Sequence, residues 1–117
     1  MNTYQGGCHC GWISFSVSGE IDRLLDCNCS LCSKRGGLLW FVPRAQLTLN
    51  SPRADELPTY RFNSGRIAHH FCDRCGCAPF SEAPGPDGKP MAAVNARCLE
   101  GVDLSVYPVS HYDGRNH

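Results

Sequence analysis

The residues best suited to chemistry in this sequence are its nine cysteines, most of which fall into closely spaced groups. Cys8 and Cys10 form a C-x-C pair, and Cys72 and Cys75 form a C-x-x-C pair followed by a glycine. Four thiolates are the closed tetrahedral set that structural zinc prefers, and a glycine permits the tight backbone beyond the last ligand. We therefore predict that the two pairs hold one structural zinc ion. The alternative is a set of free cysteines buried near one another.

A third group, formed by Cys27, Cys29 and Cys32, has the spacing C-x-C-x-x-C. Ligands this close in sequence can bind one face of a single metal ion and leave a fourth position free. Catalytic zinc sites have three protein ligands plus water or substrate, whereas structural sites have four protein ligands. We therefore predict a catalytic zinc at this group. The alternative is a second structural site, closed by a fourth side chain from His9, Asp26, Cys77 or Cys98.

Side chains outside these groups have weaker claims to a role. Lys34 and Arg35 follow the third group and could attract an anionic substrate, although a solvated turn explains them equally well. Cys77 and Cys98 are interpreted as packing cysteines, because a third metal site would need partners that the sequence does not offer. Neither of two adjacent histidines, at positions 69 and 70, has a strong case as a metal ligand.

Length and charge limit the kind of protein that carries these groups. A chain of 117 residues fits one domain, so we expect a single domain over residues 1–117. Eleven basic residues balance eleven acidic ones, and a neutral chain does not attract nucleic acid or anionic membrane by its net charge. Small molecules are the expected partners, with no nucleic acid and no membrane; the oligomeric state is not predicted.

The expected compartment supports metal binding over disulfide bonds. No apolar stretch approaches the roughly 18 to 20 residues that cross a bilayer, and residues 1–5 do not begin a signal peptide. We therefore expect a cytoplasmic protein. Cytosolic thiols stay reduced, and clustered cysteines there more often bind metal than pair with one another.

Short strands and turns must position the cysteines, since no long segment has a helical period. Residues 12–17 alternate between apolar and polar side chains, which predicts a half-buried strand. Residues 38–42 form a continuous apolar run, which predicts a strand buried on both faces. The turn-rich stretch 83–90 predicts a hairpin, and residues 30–35 one helical turn. Weaker strand candidates are residues 47–49, 59–62, 67–71, 78–81 and 91–95.

Taken together, the motifs resemble the glutathione-dependent formaldehyde-activating enzyme family, also called the centromere protein V family. The resemblance extends to Asp113-Gly114-Arg115, and four stretches carry it: Gly7-Cys8-His9-Cys10-Gly11, Asp26-Cys27-Asn28-Cys29-Ser30-Leu31-Cys32, Phe71-Cys72-Asp73-Arg74-Cys75-Gly76 and Val94-Asn95-Ala96-Arg97-Cys98-Leu99. It implies a mainly β, Mss4-like fold of small coiled antiparallel sheets around a structural zinc. It also implies two zinc ions per chain, the structural one at Cys8, Cys10, Cys72 and Cys75 and the catalytic one at Cys27, Cys29 and Cys32.

The resemblance further implies an activity. Members of the family join glutathione to formaldehyde to give S-hydroxymethylglutathione, which in reverse is a carbon–sulfur lyase reaction. We therefore expect a zinc-dependent lyase that acts on adducts of a small thiol, such as glutathione, and an aldehyde, such as formaldehyde. The alternative is a non-catalytic interaction module in which both zinc ions are structural, with a local basic patch around Arg61 and Arg66.

Overall fold

A computed structural model describes residues 2–62 and 64–116 of the chain, and its regular structure is mostly β-strand. The strands are β1 (Asn2–Gly7), β2 (Ser14–Gly19), β3 (Leu24–Cys27), β4 (Leu39–Pro43), β5 (Leu47–Ser51), β6 (Thr59–Tyr60), β7 (Ala68–His70), β8 (Phe80–Pro84), β9 (Pro90–Asn95) and β10 (Val109–Tyr112). One α-helical turn, α1, covers Cys32–Arg35. Short 3-10 turns cover Arg44–Gln46, Ala54–Glu56, Ala96–Cys98, Leu104–Val106 and Gly114–Asn116. Within the described ranges, no helix is long and apolar enough to span a membrane.

The strands form two sheets. The smaller sheet has three strands in the order β1-β2-β5, and the larger has seven in the order β10-β3-β4-β9-β8-β7-β6. Neighbouring strands are antiparallel except for β10 and β3, which run parallel at one end of the larger sheet. The predicted mainly β fold is confirmed. The parallel pair is an addition that the sequence patterns did not predict.

One hydrophobic core joins the two sheets. Phe15 and Val17 of β2 are fully buried, as the alternating pattern predicts, and they share this core with Trp40 of β4 and Val94 of β9. The ring of Phe15 lies 5.6 Å from that of Phe80 on β8, measured between centroids. Because burial of each large apolar side chain contributes roughly 1.5 to 3 kcal/mol, this shared core fixes one sheet against the other.

Strand β4 corrects the expectation of a strand buried on both faces. Trp40 and Val42 are buried, but Phe41 between them is 49% exposed. Phe41 is apolar because its face of the sheet lines a cavity rather than the core. The continuous apolar run therefore reflects a core on one side and a cavity wall on the other.

The hairpin predicted from the sequence can also be compared with the structure. The turn-rich stretch forms the β8–β9 hairpin, in which Gly85 N–H donates to the Lys89 carbonyl over 2.7 Å. Gly88 has φ of 82°, a left-handed conformation that favours glycine. In contrast, β1, β3 and β10 lacked a sequence signal: β1 carries two glycines, and β3 and β10 have four residues each.

Candidate metal centres and the adjoining cavity

The first candidate metal centre lies where two loops meet. Cys8 and Cys10 follow β1, and Cys72 and Cys75 follow β7. Their four Sγ atoms lie within 4.8 Å of one another, and Cys10 Sγ is 3.6 Å from both Cys8 Sγ and Cys72 Sγ. Four sulfurs around a zinc ion at about 2.3 Å are separated by about 3.8 Å. This group, called the four-thiol group below, therefore has the size of a tetrahedral zinc site.

Backbone N–H groups donate hydrogen bonds to sulfurs of the four-thiol group. Ile13 N–H donates to Cys8 Sγ over 3.2 Å, and Cys75 N–H donates to Cys72 Sγ over 3.4 Å. Hydrogen bonds from the backbone N–H of Cys77, and then from that of Cys10, lower the pKa of Cys75 to about 5. Since metal ligands must be thiolates, this donor arrangement fits a bound cation.

The two loops also meet through a side-chain contact. The guanidinium carbon of Arg74 lies 4.6 Å from the ring centroid of Trp12. A cation over an aromatic face at this distance contributes about 0.5 to 1 kcal/mol at an exposed site. The contact therefore helps to hold the loop after β1 against the loop after β7.

The second candidate centre is the cysteine triad formed by Cys27, Cys29 and Cys32. Cys27 ends β3, Cys32 begins α1, and the three Sγ atoms lie within 4.8 Å of one another. Cys29 N–H donates to Cys27 Sγ over 3.5 Å, and Cys32 N–H donates to Cys29 Sγ over 3.3 Å. The backbone N–H of each later cysteine thus donates to the sulfur of the cysteine before it.

In the part of the chain that the structure describes, no fourth metal-binding side chain joins the triad. His9, Asp26, Cys77 and Cys98, the fourth ligands considered above, are not members of the group. Asp26 instead has an oxygen 3.4 Å from Nδ1 of His111. The triad therefore offers one metal ion three ligands.

The chemistry of the triad fits a cation. Burial raises the pKa of Cys32, and hydrogen bonding and repulsion by the neighbouring thiolates raise it further. Burial also raises the pKa of Cys27. Burial acts the same way on Cys29, but hydrogen bonds from the neighbouring residues, first from Cys32 N–H, outweigh it and lower the pKa of Cys29. Cys27 and Cys32 therefore do not readily ionise beside that thiolate by themselves, whereas a divalent ion would supply the opposing charge.

A cavity of about 850 Å³ adjoins the triad. This volume lies within the roughly 300 to 1,000 Å³ of small-molecule sites. Arg35 lines the cavity, whereas the exposed Lys34 is not among the lining residues. The wall includes the triad, three arginines and several apolar side chains: Cys27, Cys29, Cys32, Arg35, Arg97, Arg115, Phe41, Phe62, Ile67 and Met91.

Cys77 and Cys98 are half-buried, and both line this cavity. Burial raises the pKa of Cys98 to about 11, so its thiol is protonated at neutral pH. Neither cysteine is a member of either candidate ligand group. Their position in the cavity wall was not predicted from the sequence.

His69 is a further cavity residue, and the sequence assigned it no role. It is only 8% exposed, and its Nε2 has no hydrogen-bond partner among the described residues. Its ring stacks on that of Phe62, with 5.5 Å between centroids. Burial lowers the pKa of His69, and the charges of Arg35 and His70 lower it further, so the imidazole is neutral at pH 7. Only the folded structure distinguishes it from its neighbour.

His70, by contrast, has a partner for each ring nitrogen. Nδ1 lies 2.8 Å from Thr59 Oγ1, and Nε2 lies 2.7 Å from Glu82 Oε2. The Thr59 hydroxyl donates its proton to the Leu57 carbonyl over 3.0 Å, so it accepts from Nδ1–H. The hydrogen bond from His70, and then Arg44, lowers the pKa of Glu82 to about 2. The carboxylate therefore accepts from Nε2–H.

A second cavity, of about 320 Å³, lies beyond Glu82, which lines both. Arg44, Arg61 and Arg66 line it, so the basic patch considered from the sequence is a cleft next to the larger cavity. Arg44 is bound to Glu82, and Arg61 donates to the Gly65 carbonyl over 2.9 Å.

A mainly β chain with a closed four-thiol group, an open cysteine triad and a cavity beside the triad defines a class of small, cysteine-rich proteins with two candidate metal centres. The sequence profile described as glutathione-dependent formaldehyde-activating enzyme matches residues 3–112, and the chain belongs to this family. The family prediction is thereby confirmed.

The chain is also similar to a crystal structure of a Rhodobacter sphaeroides protein that was a structural genomics target. The TM-score is 0.75 and the sequence identity is 26%, over 91% of this chain and 99% of that chain. The fold is therefore shared over nearly the whole of both chains.

Proposed function

We propose that this protein is a zinc-dependent carbon–sulfur lyase that makes and cleaves the adduct of a small thiol and an aldehyde. Glutathione and formaldehyde are the pair that the family description suggests. The observation that carries the proposal is the cysteine triad, which offers three thiols and lines a cavity of about 850 Å³. A site with an incomplete set of protein ligands beside a cavity can admit a substrate to the remaining position.

Different residues of the site have different roles in this reaction. Cys27, Cys29 and Cys32 hold the metal, and a bound zinc ion supplies positive charge that favours thiolate over thiol at neutral pH. The arginines in the wall, Arg35, Arg97 and Arg115, suit carboxylate groups such as those of glutathione. The apolar part of the wall limits water around the reacting atoms.

The reaction also needs a group that moves one proton, and we assign this role to His69. In the cleavage direction the adduct HO–CH2–S–R loses its hydroxyl proton, the carbon–oxygen bond becomes double, and the carbon–sulfur electron pair leaves with sulfur. A neutral imidazole can accept the hydroxyl proton, and in synthesis it returns the proton to the former aldehyde oxygen. The support for this role is a neutral side chain in the cavity wall with an unpaired ring nitrogen.

The Cys32→Ser variant tests the proposal. A hydroxyl is a poor zinc ligand, so we expect the variant to lose one zinc equivalent and the adduct-forming activity while it keeps its fold. Zinc content is measured by mass spectrometry of metals, and S-hydroxymethylglutathione by NMR with ¹³C-formaldehyde. Full activity without that zinc would overturn the proposal. A fourth protein ligand to the metal, seen by X-ray absorption, would favour the non-catalytic module instead.

A further inference from the structure

The chain that follows β10 lies against the cysteine triad. Strand β10 runs parallel to β3 with Tyr112 opposite Cys27, so the two strands end side by side. Asn28 N–H then donates to the Tyr112 carbonyl over 3.1 Å. Residues 113–116, which include the 3-10 turn Gly114–Asn116, are called the C-terminal clamp below.

Asn28 lies between two triad cysteines and bonds to this clamp with both ends of its amide. Its Nδ2 donates to Asp113 Oδ1 over 3.0 Å, and its Oδ1 accepts from Arg115 N–H over 3.0 Å. The other carboxylate oxygen of Asp113 accepts from Asn116 Nδ2 over 2.7 Å. The Asn28 side chain, which lies between two candidate ligands, therefore connects the triad loop to Asp113, 85 positions later in the chain.

Gly114 brings the clamp backbone into contact with the triad itself. A Cβ atom at this position would lie 2.8 Å from Cys27 Sγ and 3.1 Å from Cys29 Cβ. Side-chain carbons do not approach other atoms this closely, so any residue larger than glycine would displace the thiol or the clamp. Glycine is required here because there is no room for a Cβ atom beside Cys27 Sγ.

We propose that the C-terminal clamp is the positioning element of the second metal centre, with Asn28 and Gly114 as its positioning residues. The clamp holds the triad loop through the Asn28 amide and sets the location of Cys27 Sγ through the contact at Gly114. Gly114 and Arg115 also line the cavity, so the clamp borders the space beside the triad. The proposal rests on metal binding by the triad but not on lyase activity.

Two single variants test the clamp through metal affinity. Outer groups that orient metal ligands typically change affinity by 10 to 100-fold when they are removed. We expect Asn28→Ala and Gly114→Ala each to weaken one of two bound metal ions about tenfold or more and to leave the other unchanged. Competition with a chromophoric chelator measures both affinities, and Asn50→Ala, an exposed asparagine on β5, is the matched control.

A double variant separates positioning from a general loss of structure. Asn28→Asp places two carboxylates together, and we expect it to weaken the metal. Adding Asp113→Asn exchanges the two groups. The amide at position 113 can then donate to the carboxylate at position 28, which still accepts from Arg115 N–H. We expect the exchanged pair to restore the affinity and the cobalt(II) absorption spectrum of the triad.

The outcomes are distinct from those of the lyase proposal. Unchanged affinity in Asn28→Ala and Gly114→Ala, or no recovery in the exchanged pair, would overturn the role of the clamp. A wild-type protein that binds one metal equivalent only would overturn the clamp and the lyase together. A protein that binds two metals, responds to the clamp variants and lacks lyase activity would support the clamp and refute the lyase.

Discussion

His69 and His70 are neighbours in the chain with opposite chemical situations. His70 is bonded at both ring nitrogens, whereas Nε2 of His69 is buried without a partner among the described residues. A buried polar atom left unpaired costs about 1 to 3 kcal/mol. A fold that retains such a cost beside a cavity is consistent with a side chain kept for the reaction rather than for stability.

The His69→Leu variant tests this interpretation at the scale of one residue. Leucine removes the unpaired nitrogen from a buried position, so we expect the free energy of unfolding to rise by about 1 kcal/mol. The same change removes the proposed proton acceptor, so we expect the turnover rate to fall about 100-fold or more with zinc content unchanged. Urea unfolding and zinc analysis measure the two effects. Near-normal turnover would remove His69 from the mechanism.

The two histidines also show what a sequence can predict about a single residue. The spacing of seven cysteines predicts two pairs and one triad, because metal ligands at C-x-C and C-x-x-C spacing act within one short loop. The preference of structural zinc for four ligands then predicts that the two pairs combine. Their metal and catalytic roles stay predictions. Whether a histidine has a hydrogen-bond partner depends on strands distant in the chain, such as β8 for His70. Nothing in the local sequence distinguishes His69.

At the scale of elements, a partly buried polar network joins three strands of the larger sheet. His70 on β7 bridges Thr59 on β6 and Glu82 on β8, and Glu82 also binds Arg44 in the turn that follows β4. The hydrogen bond from His70 and the guanidinium of Arg44 hold the Glu82 carboxylate in its ionised form. Because Glu82 lines both cavities, this network also fixes the wall between them.

The network predicts a specific dependence of stability on pH. The pKa of Glu82 is lowered from 4.5 to about 2 in the folded protein, so its contribution is complete above about pH 4.5 and is lost as the pH falls towards 2. We expect Glu82→Gln to reduce the free energy of unfolding by about 1 to 2 kcal/mol at pH 7, after allowance for partial exposure.

The measurement is the difference in unfolding free energy between wild type and Glu82→Gln across the acidic range. That difference should narrow steadily below pH 4.5, because the unfolded wild-type chain takes up a proton at Glu82 there, and near pH 2 the folded protein does so as well. Protonation of the thiols is common to both proteins and does not contribute to the difference. A difference that stays constant down to pH 2 would contradict the assigned network.

A comparison of β2 with β3 and β10 shows the limit of sequence-based prediction for elements. The alternating pattern of β2 follows from one buried and one partly exposed face, and it was visible in the sequence. Strands β3 and β10 are short and pair with each other from distant parts of the chain. Their pairing depends on the tertiary fold. The approach of the C-terminal clamp to the triad follows from that pairing, so it depends on the tertiary fold as well.

At the scale of the whole molecule, the four-thiol group connects parts of the fold that are far apart in sequence. Cys10 and Cys72 are separated by 62 positions, and their loops follow strands of different sheets. A metal ion at this position would cross-link the two sheets at a second point besides the core. Structural zinc in small domains can contribute on the order of 10 kcal/mol to folding.

The two metal centres should therefore differ in their effect on stability. We expect Cys75→Ser to lower the melting temperature much more than Cys32→Ser, because only the first removes a ligand that connects the two sheets. Thermal unfolding followed by circular dichroism, with the zinc content of each variant, measures the contrast. Equal losses of stability would show that the triad metal supports the fold as strongly as the four-thiol metal.

The position of the clamp after β10 has a consequence for the order in which the molecule is assembled. All four ligands of the first centre have been synthesised once Cys75 is made, whereas the triad waits for residues 109–116 to reach its loop. Chains begin to fold from their N-terminal part during synthesis. A metal ion at the first centre can therefore be captured on the growing chain, whereas the triad is held in place only after the scaffold that carries it has formed.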